Sequence, residues 1–361
     1  LYGGNLRDLA KDIMTLSKKT GKDTISLAKE IEVLLNADKT VYDSIDEKHK
    51  VLNAYCNAVG HKVSGEKVSV DCTKLCNVLN EMSSWIADHI RKTEWITNKE
   101  GNSWFNGYYD NSGNAVEGDF SSGVRMMLTG QVFAIMSGTA TDEQVAKIVK
   151  SADDYLYDGT IGGYRLNTNF NEVKTDLGRM FGFAFGHKEN GAVFSHMAVM
   201  YANALYRRGF AKEGYKVINT LYKHCHNYSV SCIYPGVPEY VNQRGQGMYH
   251  YLTGSASWLL LTVLNEMYGI KGELGDLKLQ PKLLKEQFKD NKAGASCLFG
   301  GVNINVTYEN PKGLDAGEYS VKEIYINNRL INNVLVGTID SKLYLDNIDC
   351  LLNNKLKGEI I

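Results

Sequence analysis

Two rhythms of apolar and polar positions divide this chain, a helical one as far as Gly272 and a period-two one beyond it. The opening LYGGNLRD (1–8) reads as a turn built on Gly3 and Gly4. Over 24–35, TISLAKEIEVLL sets Ile25, Leu27, Ala28, Ile31 and Leu35 on one helical face, and helix resumes around 47–58. Within 68–92, Leu75, Leu79, Met82, Ile86 and Ile90 recur at the spacing of an amphipathic helix. GNSWFNGYYDNSGNAVEG (101–118) then interrupts the series with a hairpin-like excursion rich in Gly, Asn and Tyr.

From there apolar and amphipathic helices take turns. MMLTGQVFAIMSG (126–138) is apolar, and TDEQVAKIVKSADDYL (141–156) is amphipathic, with Thr141 and Gln144 spaced as a capping box. MAVMYANALY (197–206) is apolar and closes on basic residues and Gly209, whereas FAKEGYKVINTLYKHC (210–225) is amphipathic. TGSASWLLLTVLNEMYG (253–269) is apolar again and stops at Gly269. A helix apolar on every side is covered on every side. The alternation therefore predicts a mainly α fold, a toroid with an inner apolar ring and an outer amphipathic one. Counting 24–35, about four inner helices are present, fewer than a closed ring of six. That shortfall, and a first residue that is Leu1, lead to the expectation that the chain is a fragment.

After Gly272 the segments 274–283, 302–310, 320–331 and 338–348 alternate in period two, with Asn-Pro and Asn-Asn turns between them. The expected organisation is a helical domain over 1–271 and a small antiparallel β domain over 272–361.

Composition narrows the function little. Hydrophobic residues make up 43%, charged residues 22%, and the formal net charge is −1, which offers no electrostatic argument for nucleic acid or a membrane surface. No apolar run reaches membrane-spanning length. The seven cysteines form no tight framework and read as reduced thiols of a cytoplasmic protein. Tyrosine is abundant, with 22 copies against 4 prolines, and its flat face with a polar tip suits sugar rings as well as cores.

The chemistry gathers in two blocks, GHKENGAVFSH (186–196) and GMYHYLTGSASW (247–258), each directly upstream of an apolar run. Thr253, Gly254 and Ser255 stand where a helix begins, with N–H groups and the positive end of the dipole available to an anion; the same residues also fit an ordinary N-cap. His196 opens the other apolar run as a donor beside such an anion, or as a packed core histidine. Glu189 and Glu239 suit sugar hydroxyls, or are solvated loop charges. Cys72 with Cys76, and His224-Cys225-His226, lack a second matching pair, so no metal site is expected. Phosphate-loop, nucleophile-elbow and dinucleotide motifs are missing.

KENGAVFSHM (188–197), YHYLTGSASWLLL (249–261) and GELGDLKLQPKL (272–283), in that order, resemble glycoside hydrolase family 94, the cellobiose-phosphorylase-type inverting phosphorylases. The likeness runs from about Trp104 to Leu283 and leans toward the β-1,2-oligoglucan subgroup. It implies the later part of an (α/α)6 barrel followed by a β-sandwich domain, and a homodimer when full length. It also implies phosphate binding by His196, Thr253 and Gly254, with Ser255 beside them and an Arg supplied from upstream. Glu189 resembles the family's sugar-binding Glu. Gly4-Asn5-Leu6-Arg7-Asp8 stands where the family carries an Asp-Trp-Asn-Asp motif, which makes Asp8 the general acid, although three of the four motif positions differ.

The implied reaction is phosphorolysis of a β-linked glucoside to α-glucose 1-phosphate. Phosphate is a co-substrate and no cofactor is needed. The nucleophile is already charged, so one carboxylic acid suffices where an inverting hydrolase needs two carboxyl groups. Three alternatives stay open at this point: a cellobiose or cellodextrin phosphorylase, an inverting hydrolase using Glu189 or Glu239, and a carbohydrate-binding fragment without activity. The chain alone is expected to be inactive or nearly so.

Overall fold

The computed structural model describes residues 1–60, 62–234, 236–250, 254–331, 338–339 and 347–354. The chain forms two compact units: Leu1–Trp95 with Ser137–Thr141, and Ile96–Met136 with Asp142–Ile361.

In the first unit, helix Tyr2–Thr20 packs on helix Cys72–Thr93. Leu75 and Leu79 meet Leu6 and Ala10, with Met82 and Ile86 continuing the stripe, so the spacing read from 68–92 holds. Asp71 starts the second helix by accepting the Lys74 N–H at 2.7 Å. Two expectations fail here. Gly3 and Gly4 make no turn; they lie buried within the first helix, where a Cβ on Gly4 would come 2.8 Å from the Ser137 carbonyl oxygen. The close contact, not backbone freedom, is what calls for glycine. The predicted helix over 24–35 is instead strand Thr24–Ala28, a 3₁₀ turn and the short helix Glu32–Leu35. The strand pairs antiparallel with Lys67–Asp71, placing Ile25 opposite Val70 and Leu27 opposite Val68. Ile25 and Leu27 satisfy a period of two as well as a helical face, and the partner strand decides between them.

The second unit carries the alternating helices. Apolar Leu128–Met136 and Gly254–Leu261 both pack against Ser195–Arg207, while amphipathic Asp142–Tyr155 and Ala211–His226 follow the helices whose apolar surfaces they cover. Lys282 ties two of the helix ends: its ammonium donates to the Tyr206 carbonyl at 2.6 Å and to Glu266 at 3.0 Å. Burial pushes its pKa down and Glu266 opposes that shift.

Strand prevails from Ile270 onward. Hairpin Ile270–Glu273 and Asp276–Leu279 adds Thr338–Ile339 on one edge. A five-stranded sheet runs in the order Lys292–Phe299, Val302–Glu309, Asn347–Asn354, Tyr319–Ile326, Arg329–Leu330. It is not wholly antiparallel as expected, because Asn347–Asn354 pairs parallel with Val302–Glu309. The last strand inserts between two that run in opposite directions, so one of its pairings has to be parallel. Lys292–Phe299, KAGASCLF, escaped the period-two reading because its small residues carry little alternation.

Candidate active site

A local hairpin and a strand distant in sequence meet on a small antiparallel sheet in the second unit. Val193–Phe194 pairs with Tyr240–Val241, which pairs on its other side with Gly247–Met248. The Phe194 and Tyr240 rings stack at 6.3 Å. Helix Ser195–Arg207 leaves directly from the first strand, and the Ser195 N–H donates to the Glu239 carbonyl at 2.9 Å. The head of that helix is thereby fixed to the segment bearing Glu239.

His196 is the second residue of the helix. Its Nε2 is buried without a hydrogen-bond partner, and burial lowers its pKa below the ordinary 6.5, so the ring is neutral near pH 7. Trp258 packs against it with ring centroids 6.0 Å apart. A Cβ on Gly254 would lie 2.8 Å from Cε1 and 2.9 Å from Nδ1 of the imidazole. Glycine is therefore what brings the head of helix Gly254–Leu261 against His196. Ser255 is fully buried and its hydroxyl donates to the Pro238 carbonyl at 3.3 Å, anchoring the same helix head. Thr253 lies outside the described residues.

Two carboxylates stand on the loops that flank this sheet. Glu189 stands 3.3 Å from Arg179 Nε, and Glu239 stands 3.8 Å from Lys188 Nζ. Each keeps one buried oxygen with no hydrogen bond to the protein. Buried acceptors and an imidazole nitrogen left without protein partners each call for water or a polar ligand. Lys188 and Tyr249 both take left-handed backbone conformations, at φ 45° and 63°. The Lys188 ammonium sits 4.0 Å over the Tyr249 ring, and Tyr249, then Glu239, raise its pKa. The small sheet thus carries two neighbouring groups, His196 against Gly254 and Trp258, and Lys188 with Glu239, Tyr240 and Tyr249.

Sequence reasoning missed the supports beneath. Asn167, fully buried, donates to the Asn190 side chain at 3.2 Å and accepts the Gly191 N–H at 2.8 Å, holding the turn that carries Glu189. Met127 forms a β-bridge with Asn167 and donates its N–H to Glu117 at 2.7 Å. Glu117 also accepts from Gly107 at 2.7 Å, yet burial outweighs both bonds and pushes its pKa up to about 8. An asparagine and a glutamate in Gly- and Asn-rich loops carry no periodic signal, so neither stood out in the sequence.

Asp8 belongs to the other unit. It lies within helix Tyr2–Thr20, where its exposed carboxylate is 3.7 Å from Arg7 Nε. Cys72 and Cys76 are buried in the core of that unit, and among the described residues no group of three or more potential ligands could hold a metal ion.

The family model described as "Glycosyl hydrolase 94 superfamily, catalytic domain" matches residues 71–269. Cellobionic acid phosphorylase of Neurospora crassa is 24% identical over 56% of this chain and 26% of its own length. Solabiose phosphorylase of Paenibacillus borealis is 23% identical over 57% of this chain and 27% of its own. A 3-O-beta-D-glucopyranosyl-beta-D-glucuronide phosphorylase from the same organism is 26% identical over 69% of this chain and 32% of its own. The chain spans about a quarter to a third of the length of these relatives.

Proposed function

Since the chain belongs to the glycosyl hydrolase 94 superfamily, we propose that it carries the phosphate- and sugar-binding part of an inverting glycoside phosphorylase. The observation that carries this reading is the contact between His196 and Gly254, in which an unsatisfied imidazole nitrogen meets the head of an apolar helix. Helix-head N–H groups and an imidazole are matched donors for an anion in a water-poor site. In this reading His196, Gly254 and Thr253 hold inorganic phosphate. Ser255 contributes by anchoring the helix head, because its hydroxyl proton is given to Pro238. Glu189 and Glu239 accept hydroxyl groups of the glucosyl unit through their unsatisfied oxygens.

Phosphate attacks the anomeric carbon, the bond to the leaving oxygen breaks, and a carboxylic acid delivers its proton to that oxygen. Attack opposite the leaving group turns a β-glucoside into α-glucose 1-phosphate. The acid role is assigned to Asp8. The β-1,2-oligoglucan series is the proposed substrate, supported by the resemblance of 188–197 and 249–261. The organisation goes with the same proposal: an (α/α)6 barrel portion over 1–271, a β-sandwich domain over 272–361, and a homodimer of the longer protein. Seven unpaired thiols support a cytoplasmic setting, and no described helix is long and apolar enough to cross a membrane.

Two measurements test the reading. Titrated calorimetrically with inorganic phosphate, the chain is expected to release or take up heat that His196→Ala and Gly254→Ala abolish; equal binding by both variants would remove phosphate from this site. Incubation with sophoro-oligosaccharides or cellobiose, joined to the upstream ring helices, is expected to yield α-glucose 1-phosphate only with phosphate and not in Asp8→Asn. Glucose released equally without phosphate would make it a hydrolase.

A further inference from the structure

Helix Ala211–His226 runs back along Ser195–Arg207: Gly214 lies against Ala202 and Tyr206, whereas Leu221 and Cys225 pack with Val199. Its C-terminal end therefore stands at the end of the pair where His196 is found. There four rings touch one another in series on the surface. The Tyr222 and His226 centroids are 4.1 Å apart, those of His226 and Tyr228 6.3 Å, and those of Tyr228 and Tyr234 5.0 Å.

These rings are not core residues at the margin of a cluster. Tyr222, Tyr228 and Tyr234 are 57%, 48% and 74% exposed. Their positions are nevertheless set by local bonds. His226 Nδ1 is 2.9 Å from the Tyr222 carbonyl, and Cys232 in a left-handed conformation (φ 53°) turns the chain so that Tyr234 meets Tyr228 edge-on. Beneath the row, Leu221 and Cys225 share a cluster with Val237 and Trp258, and Trp258 is the ring that packs against His196. The row and the candidate site therefore share one wall.

We infer that Tyr222, His226, Tyr228 and Tyr234 form a binding strip for a neutral β-linked glucan chain, extending the site away from the reacting sugar; this rests on the glycoside reading above. Pyranose rings carry apolar C–H faces that lie flat on tyrosine, while the phenol hydroxyls reach sugar hydroxyls. Ordered aromatic surface left in water gains apolar burial when covered by such a ligand without any ion pair being formed. Several rings in a row suit a chain of sugars more than a single one.

Native electrophoresis of the 361-residue chain through gels containing β-1,2-glucan tests the strip. Retardation is expected for the wild type, weakened about tenfold in the double variant Tyr222→Ala/Tyr234→Ala, whose thermal melt should match the wild type. The pair Tyr222→Phe/Tyr234→Phe keeps the rings and is expected to be retarded within about threefold of the wild type. His196→Ala should be retarded like the wild type, so a failed phosphorolysis assay and a failed strip are separable. No retardation of the wild type, equal retardation of the alanine pair, or loss in the phenylalanine pair as large as in the alanine pair would each overturn the inference.

Discussion

Helices Ser195–Arg207 and Gly254–Leu261 have nearly the same kind of sequence and very different surroundings. The first is buried without a break from Ala198 to Tyr206. In the second only Ser255 is buried, and Leu260 and Leu261 are 60% and 49% exposed. The second then passes into a π-helical turn, Thr262–Met267, which returns Thr262, Glu266 and Met267 to the interior. Both begin at the candidate site, and both are apolar enough to suggest cover all round. The difference teaches that composition states what a helix tolerates on each face, while neighbours decide what it receives. Where cover is complete, the two are joined by polar contacts: Asn203 donates to Thr262 at 3.2 Å, and Lys282 bonds both the Tyr206 carbonyl and Glu266.

The sharpest way to break this pairing is at Lys282. Lys282→Ala removes the buried cation of Glu266, about 10% exposed, leaving it the partly exposed Lys271 at 3.7 Å, and is expected to cost about 3 kcal/mol of stability in chemical denaturation. Lys282→Met, with Glu266→Gln beside it, should recover most of that loss. Stability unchanged in Lys282→Ala would show that the two helix ends are held by packing alone.

A smaller contrast uses leucines of the two helices directly. Leu205 is 0% exposed, so Leu205→Ala should cost about 2–5 kcal/mol. Leu260→Ala is expected to stay within about 0.5 kcal/mol, because little is lost when an exposed side chain is trimmed. Similar losses for both would mean that Leu260 is covered in solution, by another copy or another polypeptide.

The smallest effect concerns the heads of the helices. Burial holds the His196 pKa below 6.5, so the unfolded chain takes up a proton at a higher pH than the folded one. The stability contributed by the neutral ring is complete above 6.5 and is lost as pH falls through 6.5 toward the lowered value. The melting temperature of the wild type should therefore fall toward that of His196→Gln across this window. A gap between the two that is flat with pH would place the imidazole in water.

Much of the fold was legible where a face repeats. Leu75, Leu79, Met82 and Ile86 announced their helix because a helix against one neighbour needs one stripe, and the packing of Leu6 and Ala10 uses it. Residues 24–35 misled because Ile25 and Leu27 suit either period, and the pairing with Val68 and Val70 is invisible until the chain closes. Gly3 and Gly4 misled for a related reason: glycine signals a turn locally, but here the close approach of Ser137 requires it. Of the candidate site, His196, Gly254 and Glu189 stood in the two blocks, and Glu239 was singled out between them. Asn167 and Glu117, which hold the surrounding turns, were not.

The sequence by itself determined the alternating apolar and amphipathic helices, the change to strand after Gly272, the family, and the residue types brought to the site. Those depend on periodicity and on short motifs, which are local properties of the chain. Tertiary structure alone decided that Val193–Phe194 joins Tyr240–Val241 and Gly247–Met248 in one three-stranded sheet, which of two apolar helices stays covered, and which carboxyl groups keep an unsatisfied oxygen. Burial and hydrogen-bond satisfaction are sums over neighbours from distant parts of the chain, and no window of sequence contains them.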